Sequence, residues 1–230
     1  MASPFFSVLI PVYNHERYIG AALDSLLAQC DPDWEAVVVN DGSTDSTPVI
    51  IDEYARRDAR IKVSHKSNGG TASALNHAIE RAQGEWICWL SSDDLFLPHK
   101  LATHRQWIAR NPECSYFYTN FSVLDEETGQ SSRACSPQND PRWLALNLLR
   151  GNYISGITIC VRRILFDRYG VFDGTYGYAQ DYDMHLRLLS AVEGLEIPLE
   201  TCISRQHQAQ GGRVQSSRVM FDGALVALRF

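Results

Sequence analysis

The stretch Val37-Val38-Val39-Asn40-Asp41-Gly42-Ser43-Thr44-Asp45 decides the architecture. The apolar run from Trp34 to Val39 is short and rich in β-branched residues, and it reads as a buried strand. Asp41-Gly42-Ser43 ends it abruptly. Thr47 before Pro48 then supplies a cap and a first-turn proline, so a helix is expected through about Arg57. The same alternation extends in both directions. Upstream, Phe5 to Val12 is a strand closed by Pro11 and Asn14. From Glu16 to Gln29 the apolar residues Ile19, Leu23, Leu26 and Leu27 recur at helical spacing. Downstream, Ile61 to Ser64 is a third strand, Asn68-Gly69-Gly70 a turn, and Thr71 to Ala82 a helix that Gly84 terminates. Trp86 to Leu90 is a fourth strand, stopped by Ser91-Ser92-Asp93-Asp94, and Pro98 opens a helix to about Arg110.

Strands alternating with helices predict an α/β fold with a Rossmann-like, mostly parallel sheet flanked by helices. Ligands of such sheets sit beyond the carboxyl ends of the strands. Asn14, Asp41 and Asp93 each follow a strand end, so all three are expected to face one crevice. The second half is less regular. Ser115 to Leu124 is strand-like, Asp125 to Pro141 polar and loop-rich, and Trp143 to Leu149 a short apolar helix. Thr158 to Val161 suggests a strand and Ile164 to Tyr169 a helical turn. Gly170 to Gly177 has the glycines of a mobile loop. Asp181 to Val192 is amphipathic, Leu195 to Ser204 strand-like, and Ser217 to Phe230 helical. Without a repeat or low-complexity linker, the 230 residues are expected to form one domain, 1–230. About 1–115 would form one lobe and about 116–230 the other.

Composition narrows the function. Hydrophobic residues make up 45%, enough for a real core, and 27 acids against 21 bases leave a net charge of −6. That balance argues against a general nucleic-acid binder. Six cysteines, with no Cys-x-x-Cys pair, fit reduced thiols better than a disulfide scaffold or zinc knuckle. Met1 to Tyr13 lacks the basic start of a signal peptide, and no apolar run approaches the ~18 residues of a spanning helix.

Five clusters can carry chemistry, and each also has a purely structural reading. Pro11-Val12-Tyr13-Asn14 is either a ligand edge or a strand-to-helix turn. At Asn40 to Asp45, the Asp41 carboxylate could accept a nucleobase ring N–H while Gly42 permits close approach; helix capping explains the same residues. In Ser91-Ser92-Asp93-Asp94, adjacent carboxylates disfavour each other's charge unless a cation compensates, which suits Mg2+ or Mn2+ carrying a diphosphate. Asp94 could instead cap the next helix. In Gln180-Asp181-Tyr182-Asp183, a carboxylate at a helix start could act as a general base or merely complement the helix dipole. His207, between Arg205 and Arg213, could complete a metal shell while the guanidiniums hold phosphate, or could be a loop histidine. His15, His65, His77, His99, His104 and His185 read as structural or surface residues.

In their shared order these clusters resemble the inverting glycosyltransferases of family 2, which have the GT-A fold. Ser7 to Asn14 looks like that family's opening strand, and Val37 to Asp45 is similar to its nucleotide-binding signature. Asn68-Gly69-Gly70, Asn76 and Gly84 to Ile87 resemble the segment leading to the metal motif. Ser91 to Asp94 stands in the place of Asp-x-Asp, and Gln180-Asp181-Tyr182-Asp183 in that of the catalytic base. The resemblance implies that Pro11, Tyr13, Asn14, Asp41, Asn68, Gly70, Asn76 and Ser92 hold the nucleotide. Asp93, Asp94 and His207 would then ligate Mn2+ or Mg2+, and Arg205 and Arg213 would be phosphate candidates. Asp181 would deprotonate the acceptor.

The implied reaction transfers a hexose-type sugar from a nucleotide-diphosphate sugar, such as a UDP-sugar, to a glycan or lipid-linked acceptor hydroxyl with inversion. The implied setting is cell-envelope polysaccharide synthesis, cytoplasmic or peripheral on the inner membrane face. Three residues depart from the pattern: Ser91 replaces Asp, Leu75 stands where many relatives carry Arg, and Gln180 where Glu is frequent. Ser91 and Leu75 motivate the alternative of a catalytically weak nucleotide-sugar binding or scaffold module. A nucleotidyltransferase would need a basic glycine-rich loop near the N-terminus, whereas residues 11–20 contain Arg17 and only one glycine.

Overall fold

A computed structural model describes residues 3–134, 140, 143–208 and 216–230, side chains of 216 and 217 excepted. The first half runs β1 (Phe6–Val12), α1 (Ile19–Leu27), β2 (Trp34–Asn40), α2 (Thr47–Arg57), β3 (Ile61–His65), α3 (Thr71–Arg81) and β4 (Trp86–Trp89). These strands lie side by side in the order β3-β2-β1-β4, all parallel. The second half continues with β5 (Leu95–Phe96), α4 (Lys100–Arg110), β6 (Tyr116–Asp125), β7 (Ser131–Ala134), α5 (Leu144–Leu148) and β8 (Cys160–Arg162). It ends with α6 (Ile164–Tyr169), α7 (Gln180–Leu189), β9 (Gly194–Gln206) and α8 (Ser216–Arg229). Its strands extend the same sheet as β8-β6-β9-β5, with β7 on β6. β8 joins β4 antiparallel, whereas β6 and β9 pair in parallel.

Every residue of β1 and β2 is buried, as expected for central parallel strands covered on both faces. Alternation assigns their side chains to two layers. Leu9, Val37 and Val39 pack with α3, α6 and α7 on one face; Val8, Ile10, Ala36 and Val38 pack with α1, α2 and α4 on the other. At the strand starts a buried polar network replaces apolar packing. Ser7 Oγ donates to Glu35 Oε1 at 2.6 Å, Gly84 N–H to Ser7 Oγ at 2.8 Å, and Lys62 Nζ to Glu35 Oε2 at 2.5 Å.

Three sequence expectations change. The polar stretch after Asp125 contains β7, whose exposed residues hide the usual apolar alternation. β9 is longer than its apolar run because a register irregularity lets it pass Pro198: Thr119 faces Ile197, but Asn120 faces Glu200. The glycine-bearing loop 170–177 is pinned rather than loose. Arg187 donates to the carbonyls of Tyr169, Gly170 and Val171, and Asp173 pairs with Arg229.

Gly156 packs against the Trp89 indole so closely that an added Cβ would lie 2.3 Å from Cε3. Gly156→Ala is therefore expected to destabilise the fold by about 1–3 kcal/mol, measured by urea unfolding.

Candidate active site

The shared register brings several strand ends to one line: Val12 opposes Asn40, and Asn40 opposes His65. The segments that leave these ends, with the one that leaves β4, enclose a cleft of ≈ 590 Å³. Pro11, Tyr13, Asn14, Asp41, Asn68, Gly70 and Ser92 all line it, together with His15, Trp89, Ser91, Asp93 and Tyr178. Tyr13 is 46% exposed, leaving its ring free to stack. Asn14 adopts φ 51° and locks two loops together: its N–H donates to Ser43 Oγ at 2.9 Å, and its Oδ1 accepts from Thr44 N–H at 2.8 Å. Gly42, at φ 78°, allows equally close approach, since a Cβ there would lie 2.8 Å from the Asn68 nitrogen.

Asn76 stands apart from this lining. Its amide donates to Phe172 O at 2.8 Å and accepts from Phe172 N–H at 2.9 Å, tying α3 to the loop before α7. Its expected nucleotide role is therefore replaced by a structural one. Leu75, where the missing arginine would stand, is fully buried in the core.

The metal candidates separate. Asp93 faces the cleft, its Oδ2 3.1 Å from His207 Nε2. His207 stacks on Tyr18 at 4.2 Å, and its buried Nδ1 has no partner among the described residues. Asp94 turns the other way, its Oδ1 accepting Arg205 N–H at 2.8 Å. Burial, and then the Asp93 charge, push its carboxyl up to about 8, and Asp94 is not among the residues that line the cleft. Among the described residues no three His, Cys, Asp or Glu side chains converge as a metal cage.

Arg205 is likewise structural. It is buried, with Nε on Asp93 O, one terminal nitrogen on Tyr18 O at 3.2 Å and the other 3.8 Å from the Glu126 carboxylate, so its donors are turned to partners within the chain. Arg213 lies outside the described residues. His15, expected to be structural, lines the cleft and holds Ser92 Oγ at 2.7 Å from its Nδ1. Burial lowers its pKa, so it stays neutral there. Its proximity to Asp41 and Asp93 depends on tertiary pairing, which a lone histidine after Asn14 does not announce.

Asp181 opens α7 beside the cleft. It borders a ≈ 290 Å³ depression with Phe121, Asn152, Tyr153 and Ser155, and a ≈ 440 Å³ one with Tyr182, Val219 and Met220. Tyr178 lines both the larger depression and the main cleft, so the recess that holds Asp181 adjoins the one that holds Asp41 and Asp93. Tyr182 N–H holds Asp181 Oδ1 at 2.8 Å, and Asn152 Nδ2 lies 3.4 Å from Oδ2. Burial raises the carboxyl to about 6 against these hydrogen bonds. The neighbouring carboxylate of Asp183 is fully buried in ion pairs with Arg187 and Arg229, and so it anchors α8.

A parallel α/β half joined to a mixed one in a single sheet, with carboxylates gathered at the parallel strand ends, is the GT-A architecture. The TarS structure of S. aureus with UDP-GlcNAc superposes with a TM-score of 0.77 over 97% of this chain and 65% of that one, at 22% identity. A mannosyltransferase of Pyrobaculum calidifontis, bound to GDP-Man and Mn2+, gives 0.72 over 100% of this chain and 65% of that one, also at 22%. At that identity the likeness concerns the fold.

The family profile for glycosyl transferase family 2 matches residues 7–170, and the chain belongs to that family. An uncharacterized glycosyltransferase of Rickettsia typhi is 35% identical over 216 residues, covering 90% of this chain and 66% of the relative. A Bacillus subtilis glycosyltransferase named for teichuronic acid biosynthesis is 37% identical over 125 residues, 54% of this chain and 49% of its own length. The chain thus spans about two thirds or less of these curated relatives.

Arg205→Met strips donors from two buried carbonyls and is expected to cost about 2–4 kcal/mol in urea unfolding. A phosphate-binding arginine would give the opposite pattern, an intact fold with weakened nucleotide affinity.

Proposed function

We propose that the chain transfers a sugar from a nucleotide-diphosphate sugar to an acceptor hydroxyl with inversion, Asp181 acting as general base. The observation that carries this reading is the placement of Asp181, a partly buried carboxyl raised to about 6, beyond Tyr178 from the cleft that holds Asp41 and Asp93. In this reading Tyr13 and Pro11 flank the nucleobase, and Asp41 takes its ring N–H. Asn14, Asn68, Gly70 and Ser92 shape the ribose and diphosphate path.

Asp93 and His207 fit a divalent cation, Mn2+ or Mg2+. Together they offer one carboxylate and a buried imidazole with an orphaned nitrogen, leaving the other positions to diphosphate oxygens. When bound, such an ion supplies positive charge against the charge developing on the leaving diphosphate. Asp181 accepts the proton of the acceptor hydroxyl as its oxygen bonds to the anomeric carbon. The bond from that carbon to the diphosphate oxygen breaks, and its electron pair leaves with the nucleoside diphosphate. Attack from the face opposite the leaving group inverts the centre. A glycosidase would flank the bond with two carboxyls and admit water; here Asp183, the nearest alternative, is locked in ion pairs.

The acceptor is a glycan or a lipid-linked glycan, by analogy with the relative named for teichuronic acid. Among the described residues no helix is long and apolar enough to cross a membrane. The exposed Met220, Phe221 and Leu228 of α8 suit a peripheral place on the inner membrane face.

Asp181→Asn is expected to lower transfer about 10²- to 10⁴-fold while leaving calorimetric binding of nucleoside diphosphates unchanged. Equal turnover by mutant and wild type would reject the base; binding without turnover on any acceptor would favour a binding module. Asp93→Ala should abolish the gain in nucleoside-diphosphate affinity that Mn2+ confers, read by thermal shift. The pH dependence has a fixed sign. A base with pKa near 6 must be ionised, so transfer should fall as pH drops below about 6. The Asn152 hydrogen bond favours the ionised form, so Asn152→Ala should move that acid limb to higher pH in a kcat profile.

A further inference from the structure

The Asp41 carboxylate is fully engaged within the chain itself. Oδ1 accepts from Lys66 Nζ at 2.5 Å and Gly69 N–H at 3.0 Å; Oδ2 accepts from Gly69 N–H at 3.1 Å and Gly70 N–H at 2.8 Å. Four donor contacts fill the roughly four lone-pair positions of a carboxylate. The two amides are fixed features of the backbone. Gly70 turns at φ 84° into α3, and Gly69 is wedged where a Cβ would lie 2.8 Å from Ser73 Oγ. Lys66 is the adjustable partner. It follows β3 directly, its side chain is 20% exposed, and its ammonium already shares a second acceptor, Ser67 O at 2.7 Å.

A nucleobase N–H aimed at Asp41 must therefore take the position that Lys66 holds. The displaced ammonium has lost its charge partner beside a partly closed cleft and needs a new acceptor within a small swing. In uracil, thymine and guanine, the atom next to the ring N–H is a carbonyl oxygen. In cytosine and adenine the corresponding ring nitrogen carries no hydrogen and its neighbour is an amine. An amine would meet the ammonium donor to donor, and the bare ring nitrogen would meet the carboxylate acceptor to acceptor.

We propose that Lys66 is a second base-reading residue, exchanging Asp41 for the base carbonyl when the nucleotide binds, so that the Asp41–Lys66 pair selects lactam-edged bases over cytosine and adenine. The inference rests on the reading that Asp41 faces the base, and it assigns the class of base that the sugar donor carries.

Calorimetric titration of the full chain with UDP, GDP, CDP and ADP in the presence of Mg2+ tests both levels. The wild type is expected to bind UDP or GDP at least about tenfold more tightly than CDP and ADP. Lys66→Met should lose about tenfold on the preferred nucleotide and narrow the gap to CDP, whereas Lys66→Arg, which keeps a cation, should retain most of both. If the Met variant does not fold, Lys66→Gln is read in the same way. Unchanged or tighter binding of the preferred nucleotide by the neutral variants overturns the proposal, since Lys66 would then be only a plug. Asp41→Asn separates the two levels. If it weakens binding while the Lys66 variants do not, Lys66 alone is misassigned. If it has no effect, the reading of Asp41 itself falls.

Discussion

The register of β1 between β2 and β4 is the constraint on which the rest depends. Leu9 lies opposite Val37 on one side and Trp89 on the other, and Val12 ends level with Asn40. Because side chains alternate along a strand, a slip of one residue would send Leu9, Val37 and Val39 into the layer that Val8, Ile10 and Val38 occupy. It would also offset the exits of β1 and β2. The polar network of Ser7, Glu35, Gly84 and Lys62 fixes that register from the opposite end. Each of its members is satisfied only when these strands meet in this alignment, so polar specificity at the strand starts sets the geometry of the cleft at the strand ends.

The cleft gathers negative charge, and the chain neutralises it unevenly. Asp94 is buried against β9 and has its pKa raised. Arg205, beneath it, holds Asp93 through the backbone carbonyl rather than the carboxylate. The Asp93 side chain thus faces the cleft, met among the described residues by the His207 ring. A guanidinium that paired the carboxylate directly would compete with any cation there. Placing it on the main chain fixes the position of Asp93 and leaves its side chain without a guanidinium partner.

How much was legible in the sequence follows from how local each determinant is. The parallel half was readable because each strand is a short buried run punctuated by polar turn residues, and the crevice followed from strand ends alone. The second half resisted for physical reasons. β7 is solvent-exposed, β9 crosses a proline by a register irregularity, and the loop after Gly170 owes its order to Asn76 and Arg187, distant in sequence. Among the candidate residues, those directly following strands gathered as expected. Asn76 and Arg205 did not, since an amide or guanidinium pattern cannot reveal that a buried carbonyl will claim it. His15 reads from the sequence only as a structural or surface residue, and Lys66 carries no signal, because their contacts exist only once Ser92 and Asp41 are brought beside them.

Three carboxylates at or near the strand ends differ because their partners differ in kind. Asp41 is surrounded by donors from a rigid turn and by one flexible ammonium. Asp94 sits against a like charge in a dry setting, and it serves as a structural acceptor. Asp181 is supported by the backbone N–H groups of Tyr182 and of its own residue and by one distant amide, which do not offset its burial and leave it raised to about 6. In the role proposed for it, a carboxylate ionised at neutral pH yet basic enough to take a hydroxyl proton needs this intermediate degree of support. A further strong donor would stabilise the carboxylate and weaken it as a base, while removal of Tyr182 N–H or Asn152 would let burial keep it protonated. The Tyr182 N–H, from α7 itself, gives the ionised form its larger support, and Asn152, 3.4 Å away, adds a smaller one from a loop that composition alone marks only as a connection.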